Sequence, residues 1–358
     1  MHMACQQEDL TVDIMNVPTS VFGEVESAFA NDQRRLLVSD NPEILNESSF
    51  PGTTCTLWHD IVCSDEESVT HRLFGWHRNE TGQPLQLGVT VQNLSTSTRI
   101  AIQHIHRDIH IEPLSNQMIQ VGQCLAKSCL SRTLEHYTSV DQHADVTSTA
   151  MIESVRLDTN YFAGFIYEFT IERDSGAGEM EYAIRTVASR DVTADIRLIH
   201  SDPLTPYCTH PRGSWPYAEV HASMPAYIIG TERVYRVCAR KKMNGEVASD
   251  FLFAASASEL REGAVDNTGQ FGAIYLVDIP LHNDTEEEAV VSIYVNPRGG
   301  AFAGAIFVDG KVIGVPLMMD NTNVCLIAKV VVPVGVRTFQ CKLMTAGESN
   351  LPLGIYLK

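Results

Sequence analysis

Residues 271–306, FGAIYLVDIPLHNDTEEEAVVSIYVNPRGGAFAGAI, decide the fold. They read as a strand, an acidic turn, a second strand, and a Pro-Arg-Gly-Gly corner that opens the next hairpin. Residues 85–102 (LQLGVTVQNLSTSTRIAI) repeat that grammar with an Asn/Ser/Thr turn. There Leu85, Leu87, Val89 and Val91 alternate with Gln86, Gly88, Thr90 and Gln92, as a half-buried antiparallel strand requires. Two such units in one chain point to two β-rich domains.

Working outward, short strands are expected over 35–39, 57–62, 71–77, 164–172 and 181–188, and repeatedly after residue 217. A hairpin over 305–315 turns on Asp309-Gly310. Between Arg99 and Glu112 the apolar residues change phase, from Ile100 and Ile102 to Ile105, Ile109 and Ile111. A period-2 pattern cannot do this without an extra residue, so a bulge is expected near Gln103. Residues 117–134 carry a helical stripe of Met118, Val121, Leu125, Cys129 and Leu134. A short amphipathic helix is also expected just before the strand at 35–39. The Pro-rich stretch 202–212 (DPLTPYCTHPR) reads as a boundary. The expectation is an all-β chain of two tandem antiparallel β-sandwich-like domains, with one short helix packed on the first. A lead-in covers 1–20, the first sandwich 21–205 and the second 206–358.

Composition narrows the function classes. A chain of 358 residues that is 44% hydrophobic and 20% charged can bury sizeable cores. Its net charge of −18 repels nucleic-acid phosphates and anionic membrane surfaces, and no basic stripe offsets it. No apolar run is long enough to cross a bilayer as a helix. The first residues, MHMACQQEDLTVD, lack the apolar region of a signal peptide. Either that segment has been removed or export uses another route. The nine cysteines form no CxxC pair and read as free, mostly buried thiols. The odd count leaves Cys5 as a candidate for an intermolecular disulfide.

Three sets of residues could carry chemistry. His104, His106 and His110, with Asp108 and Glu112, would share one face of a strand, where alternate histidines can grip a transition metal. Alternation over an isoleucine-lined core produces the same polar row without a metal. Arg212 and Arg298 each sit in a Pro-Arg-Gly tripeptide, where the guanidinium could fork a carboxylate or anionic sugar or could anchor a corner through carbonyls. Trp58, Trp76, Trp215 and Tyr217 could stack on a sugar or fill the core, with Trp215 beside Arg212 the most site-like. The sequons at Asn46, Asn79, Asn93 and Asn283 read as turn residues in a bacterial chain. No GxSxG, HExxH, phosphate loop, dinucleotide fingerprint or EF-hand loop occurs, so an enzyme is not expected.

The phrases LFGWHRNETGQPLQLGVTVQNLS, HPRGSWPYAEV, NTGQFGAIYLVDIPL, YVNPRGGAFAGAI and SNLPLGIYL resemble, in this order, the extracellular portion of secreted bacterial proteins. Those proteins are commonly labelled stalk-domain or copper-amine-oxidase N-terminal-domain-containing, and the similarity covers roughly residues 21–358. The label belongs to a separate small module, so the resemblance implies neither copper nor amine oxidation. It implies a secreted or envelope-associated β protein at the cell surface or outside the cell. The expected function is a non-catalytic structural protein for assembly or adhesion, with itself and envelope or matrix components as partners. The alternatives are a carbohydrate- or small-ligand-binding module at Arg212, Trp215, Tyr217 and Arg298, or a divalent metal on the histidine row. No other cofactor is expected.

Overall fold

A computed structural model describes residues 10–19, 22–115 and 118–358. It contains many strands and one α-helix, Met118–Ser131. Four sheets form two sandwiches. In the first, a four-stranded sheet runs Thr149–Leu157, Leu85–Asn93, Met180–Ser189, Thr54–Ser64. Opposite it, the spine of an eight-stranded sheet runs Thr98–Pro113, Tyr161–Gly176, Ser68–Asn79, Arg35–Ser39, with the last two parallel.

The second sandwich repeats this plan strand for strand. One sheet contains Asn323–Val332, Ala289–Pro297, Leu353–Leu357 and Arg233–Val237 in that order. The other contains Phe302–Val308, Gly335–Thr345, Ile274–Asn283 and Glu219–Ser223, again with the last two parallel. Numbered along the chain, the eight strands of each unit are connected in the same order. Even the turn chemistry recurs. Asn79 donates to the carbonyls of Gln83 and Leu157 while its Oδ1 accepts from the Thr81 N–H and hydroxyl. Asn283 donates to Glu287 and Val332 and accepts from both groups of Thr285. These sequon asparagines are spent inside the fold, as Asx-type locks of a hairpin turn.

The eight-stranded sheet is covered on both faces, which explains why RLLVS is buried throughout. Leu37, Leu73 and Phe165 face the four-stranded sheet, whereas Leu36, Val38, Phe74, Trp76, Phe162 and Ile166 join the core of the second sandwich. Burying an apolar side chain of this size is worth roughly 1.5–3 kcal/mol. The helix sits between the sandwiches rather than on the first alone. Gln123 donates to the Val315 carbonyl at 2.6 Å, and Ser128 to Asp108 at 2.6 Å. At Gly122 a Cβ would lie 2.3 Å from the Gly347 backbone nitrogen, so only glycine allows that approach.

Two expectations are corrected. Among the described residues no helix precedes Arg35: Phe22–Glu24 and Ser27–Ala30 are strands, and the spacing of Phe22, Val25 and Phe29 only mimics a helical stripe. A cut at 205/206 does not separate the sandwiches. Val12–Ile14, Phe22–Glu24 and Ser27–Ala30 pair with strands of the second sandwich. Arg212–Trp215 pairs with Arg35–Ser39 of the first. The phase change in 99–112 is resolved by a bulge at His104–Ile105, with His104 at φ 53°.

Several interior imidazoles shape the pH response. Burial pulls His59 and His77 down to about 4, and His71 well below its ordinary value, against 6.5 in the unfolded chain. Their stabilisation is fully present above pH 6.5 and is lost as pH falls through 4. Asp40, raised by burial to about 7, and His210, raised by its carboxylate partners to about 11, act in the opposite sense in this window but are outweighed by the three depressed imidazoles. The urea midpoint is therefore expected to fall between pH 7 and pH 5. A His77→Asn variant should lose less over that interval. A midpoint that is flat or rising on acidification would contradict the account.

Candidate functional site

Where the sandwiches meet, a cavity of about 300 Å³ is lined by Asp40, Glu43, His210 and Glu348, with Phe74, Trp76 and Phe271 as its aromatic wall. Each side chain is delivered by a different constraint. Asp40 and Glu43 follow the strand Arg35–Ser39 at the corner of the first sandwich. The Asn41 amide donates to the carbonyls of Cys208 and His210, and its oxygen accepts from the Tyr207 N–H, which fastens the connector and places His210. Glu348 lies on a loop of the second sandwich held by Ser349, whose hydroxyl donates to the Ala303 carbonyl. Phe74 stacks on Phe271 at 5.7 Å and on Trp76 at 6.4 Å.

His210 Nδ1 lies 2.8 Å from Glu43 Oε2 and 3.5 Å from Asp40 Oδ2. Hydrogen bonds to Asp40 and Glu43 push its pKa up to about 11, so the imidazole carries the proton. Burial works against ionised Glu43, but His210 and Arg78 hold its carboxyl below the usual range. Burial, and then the neighbouring Glu43 charge, raises Glu348. Two polar atoms in this wall have no partner: Asp40 Oδ1 and the Trp76 indole nitrogen, on residues only 3% and 2% exposed. Such groups cost free energy unless something hydrogen-bonds them.

A larger cleft of about 1040 Å³ opens between helix and sheets, lined by Arg34, Arg72, Glu168, Glu219 and Lys342 among others. These five charges are paired with one another. Glu168 takes Arg34 at 2.9 Å and Arg72 at 2.7 Å, and Lys342 meets Glu219 at 2.9 Å.

The residues singled out from sequence are not gathered at one place. Arg212 is 1% exposed and spends its guanidinium on carbonyls. Trp215 is buried and donates to the Ala254 carbonyl, and the Tyr217 hydroxyl donates to Leu252. Arg298 lies over the Phe22 ring and lines a separate cleft of about 530 Å³. His106 meets His136 edge-on at 5.7 Å, His110 Nε2 is 3.1 Å from Asp108, and His104 is 3.7 Å from Glu172. Among the described residues, ligand atoms converge at Asp40/Glu43/His210 and Cys63/Glu179/Glu181, and the histidine row belongs to neither group. Cys5 lies outside the described residues, and Cys55, Cys63, Cys129, Cys208, Cys238, Cys325 and Cys341 are free thiols.

Sequence reasoning also missed a serine–histidine contact. Ser39 Oγ is 3.1 Å from His77 Nε2 and 2.7 Å from Thr186 Oγ1, while His77 Nδ1 faces the Pro42 carbonyl. All three side chains are buried, and neither Ser39 nor His77 lines the small cavity. These three groups satisfy one another in the interior, away from the small cavity.

No family model and no curated sequence matches this chain. Among solved structures, it aligns with the N-terminal CBM22-1-CBM22-2 tandem domain of Paenibacillus barcinonensis Xyn10C. The identity is 9%, over 98% of this chain and 99% of that one, with a TM-score of 0.15. Vicilin from Solanum lycopersicum (tomato) aligns at 9% identity over 84% of this chain and 73% of that one, with a TM-score of 0.12. Likenesses at this level carry no argument about fold or function. What the coordinates define is a class: an all-β protein built from one eight-strand sandwich used twice.

Proposed function

We propose that this protein is a non-catalytic structural element of a cell surface, envelope or coat, acting as a rigid spacer. The observation that carries this reading is the stitching of the sandwiches. Strands from before residue 31 complete the second sandwich, and Arg212–Trp215 extends the first, so no free hinge separates them. The resemblance to secreted bacterial proteins supports an extracellular setting. Self-association is supported by exposed Val290, Val331, Val334 and Val336 near one end, an apolar grouping of the kind that marks contact surfaces. Scanning calorimetry tests the spacer: one unfolding transition is expected, and two resolved transitions would remove it.

A second reading, binding of a small polyhydroxylated ligand such as a glycan, is favoured by the unpartnered Trp76 N–H in the ring-walled cavity. A glycan array tests it. Signals that vanish in Trp76→Phe would support it, and an array with none above background would end it.

A further inference from the structure

One corner of the small cavity has more ligand capacity than its own hydrogen bonds use. We propose that Asp40, Glu43 and His210 Nδ1 form a binding site for one divalent transition-metal ion of the zinc type, with a fourth position open to the cavity. This stands apart from the spacer reading, which needs no ion.

The geometry is close to what such an ion requires. The three donor atoms lie within 4.8 Å of one another. Ligand atoms around tetrahedral zinc sit ~3.4 Å apart, given bonds of about 2.0–2.1 Å. The His210–Asp40 separation is already 3.5 Å, and the His210–Glu43 separation of 2.8 Å needs only a small opening. Asp40 Oδ1, on a residue 3% exposed, has no partner, which the interior tolerates poorly unless the carboxylate engages something further. The Asn41 clamp on the Cys208 and His210 carbonyls fixes the backbone that carries the imidazole. One imidazole with carboxylates suits zinc, cobalt or nickel better than calcium or magnesium.

Charge balance agrees. Asp40, Glu43 and Glu348 face this corner, against the His210 proton and Arg78, which sits 3.4 Å from Glu43. On binding, the ion takes the Nδ1 lone pair and the displaced proton leaves to solvent. The His210 side chain is 44% exposed, which leaves an entry path. By contrast, Cys63, Glu179 and Glu181 are all exposed and include no unpartnered buried atom, so that group serves as a control.

The test is calorimetric titration of the chelator-stripped full chain with Zn²⁺, together with the absorption spectrum of the Co²⁺ form. One ion per chain is expected, with cobalt bands free of thiolate charge transfer. Asp40→Asn, Glu43→Gln and His210→Ala should each weaken binding at least about tenfold, and Cys63→Ser should leave it unchanged. Circular dichroism of each ion-free variant restricts the comparison to folded protein, and Glu43→Gln is the variant that best keeps side-chain shape. Wild-type affinity in folded Glu43→Gln or His210→Ala would overturn the proposal. So would a cobalt–thiolate band that disappears in Cys63→Ser.

Discussion

Arg212→Ala is expected to be among the most damaging single substitutions in the chain. The guanidinium donates to the carbonyls of Gly263 at 2.7 Å and Leu204 at 2.6 Å, with longer contacts to Asn41 and Leu57. It also lies over the Trp58 ring at 4.7 Å. These partners belong to the first sandwich, the connector and the loop before Ile274, so one side chain ties three segments. Burial pulls its pKa down to about 10, which still leaves the guanidinium charged at neutral pH. Removing it strands several buried acceptors at about 1–3 kcal/mol each. The expected loss is on the order of 4 kcal/mol in urea unfolding, with little recovery in Arg212→Lys, whose ammonium cannot span the same fork. A loss below about 1 kcal/mol would show that these contacts are incidental.

Arg35→Ala should cost a similar amount for a different reason. Arg35 grips Asp60 twice, at 2.9 and 2.8 Å, and also contacts Glu259. The pair bridges the two sheets of the first sandwich, and the Asp60 side chain has no exposure. Loss of the arginine leaves a carboxylate deep in the core, for which about 3–5 kcal/mol is typical. The double variant Arg35→Met/Asp60→Leu should recover most of that loss, because an apolar pair of comparable volume has no charge to desolvate. If the double variant is no better than Arg35→Ala, packing rather than charge sets the cost.

Much of the architecture was legible because alternation is a local property. The Asp309-Gly310 hairpin, the helix stripe from Met118 to Cys129 and the bulge beside Gln103 could all be read within about a dozen residues. Strand partnership is not local. The triplet Phe22–Glu24 has no period to read, and its place beside Arg233–Val237 is decided by the edge left open there. The arginine and tryptophan of HPRGSW looked like a binding pair because residue type says nothing about which side of a sheet is covered. Trp215 faces the core shared between the sandwiches, and Arg212 is enclosed by carbonyls. The cavity was illegible for the same reason. Asp40 and Glu43 are ordinary turn residues until the connector returns with His210, and Glu348 arrives from the far end of the sequence.

The stitched strands also constrain the order in which the molecule is made. The Cys325 thiol reaches the Thr11 carbonyl across a separation of 314 residues. During synthesis the strands at 12–14 and 22–30 therefore leave the ribosome long before their partners exist, and the second sandwich can close only after the strand Asn323–Val332 has emerged. The second sandwich stays open while the first folds, and becomes hard to pull apart once those early strands are recaptured.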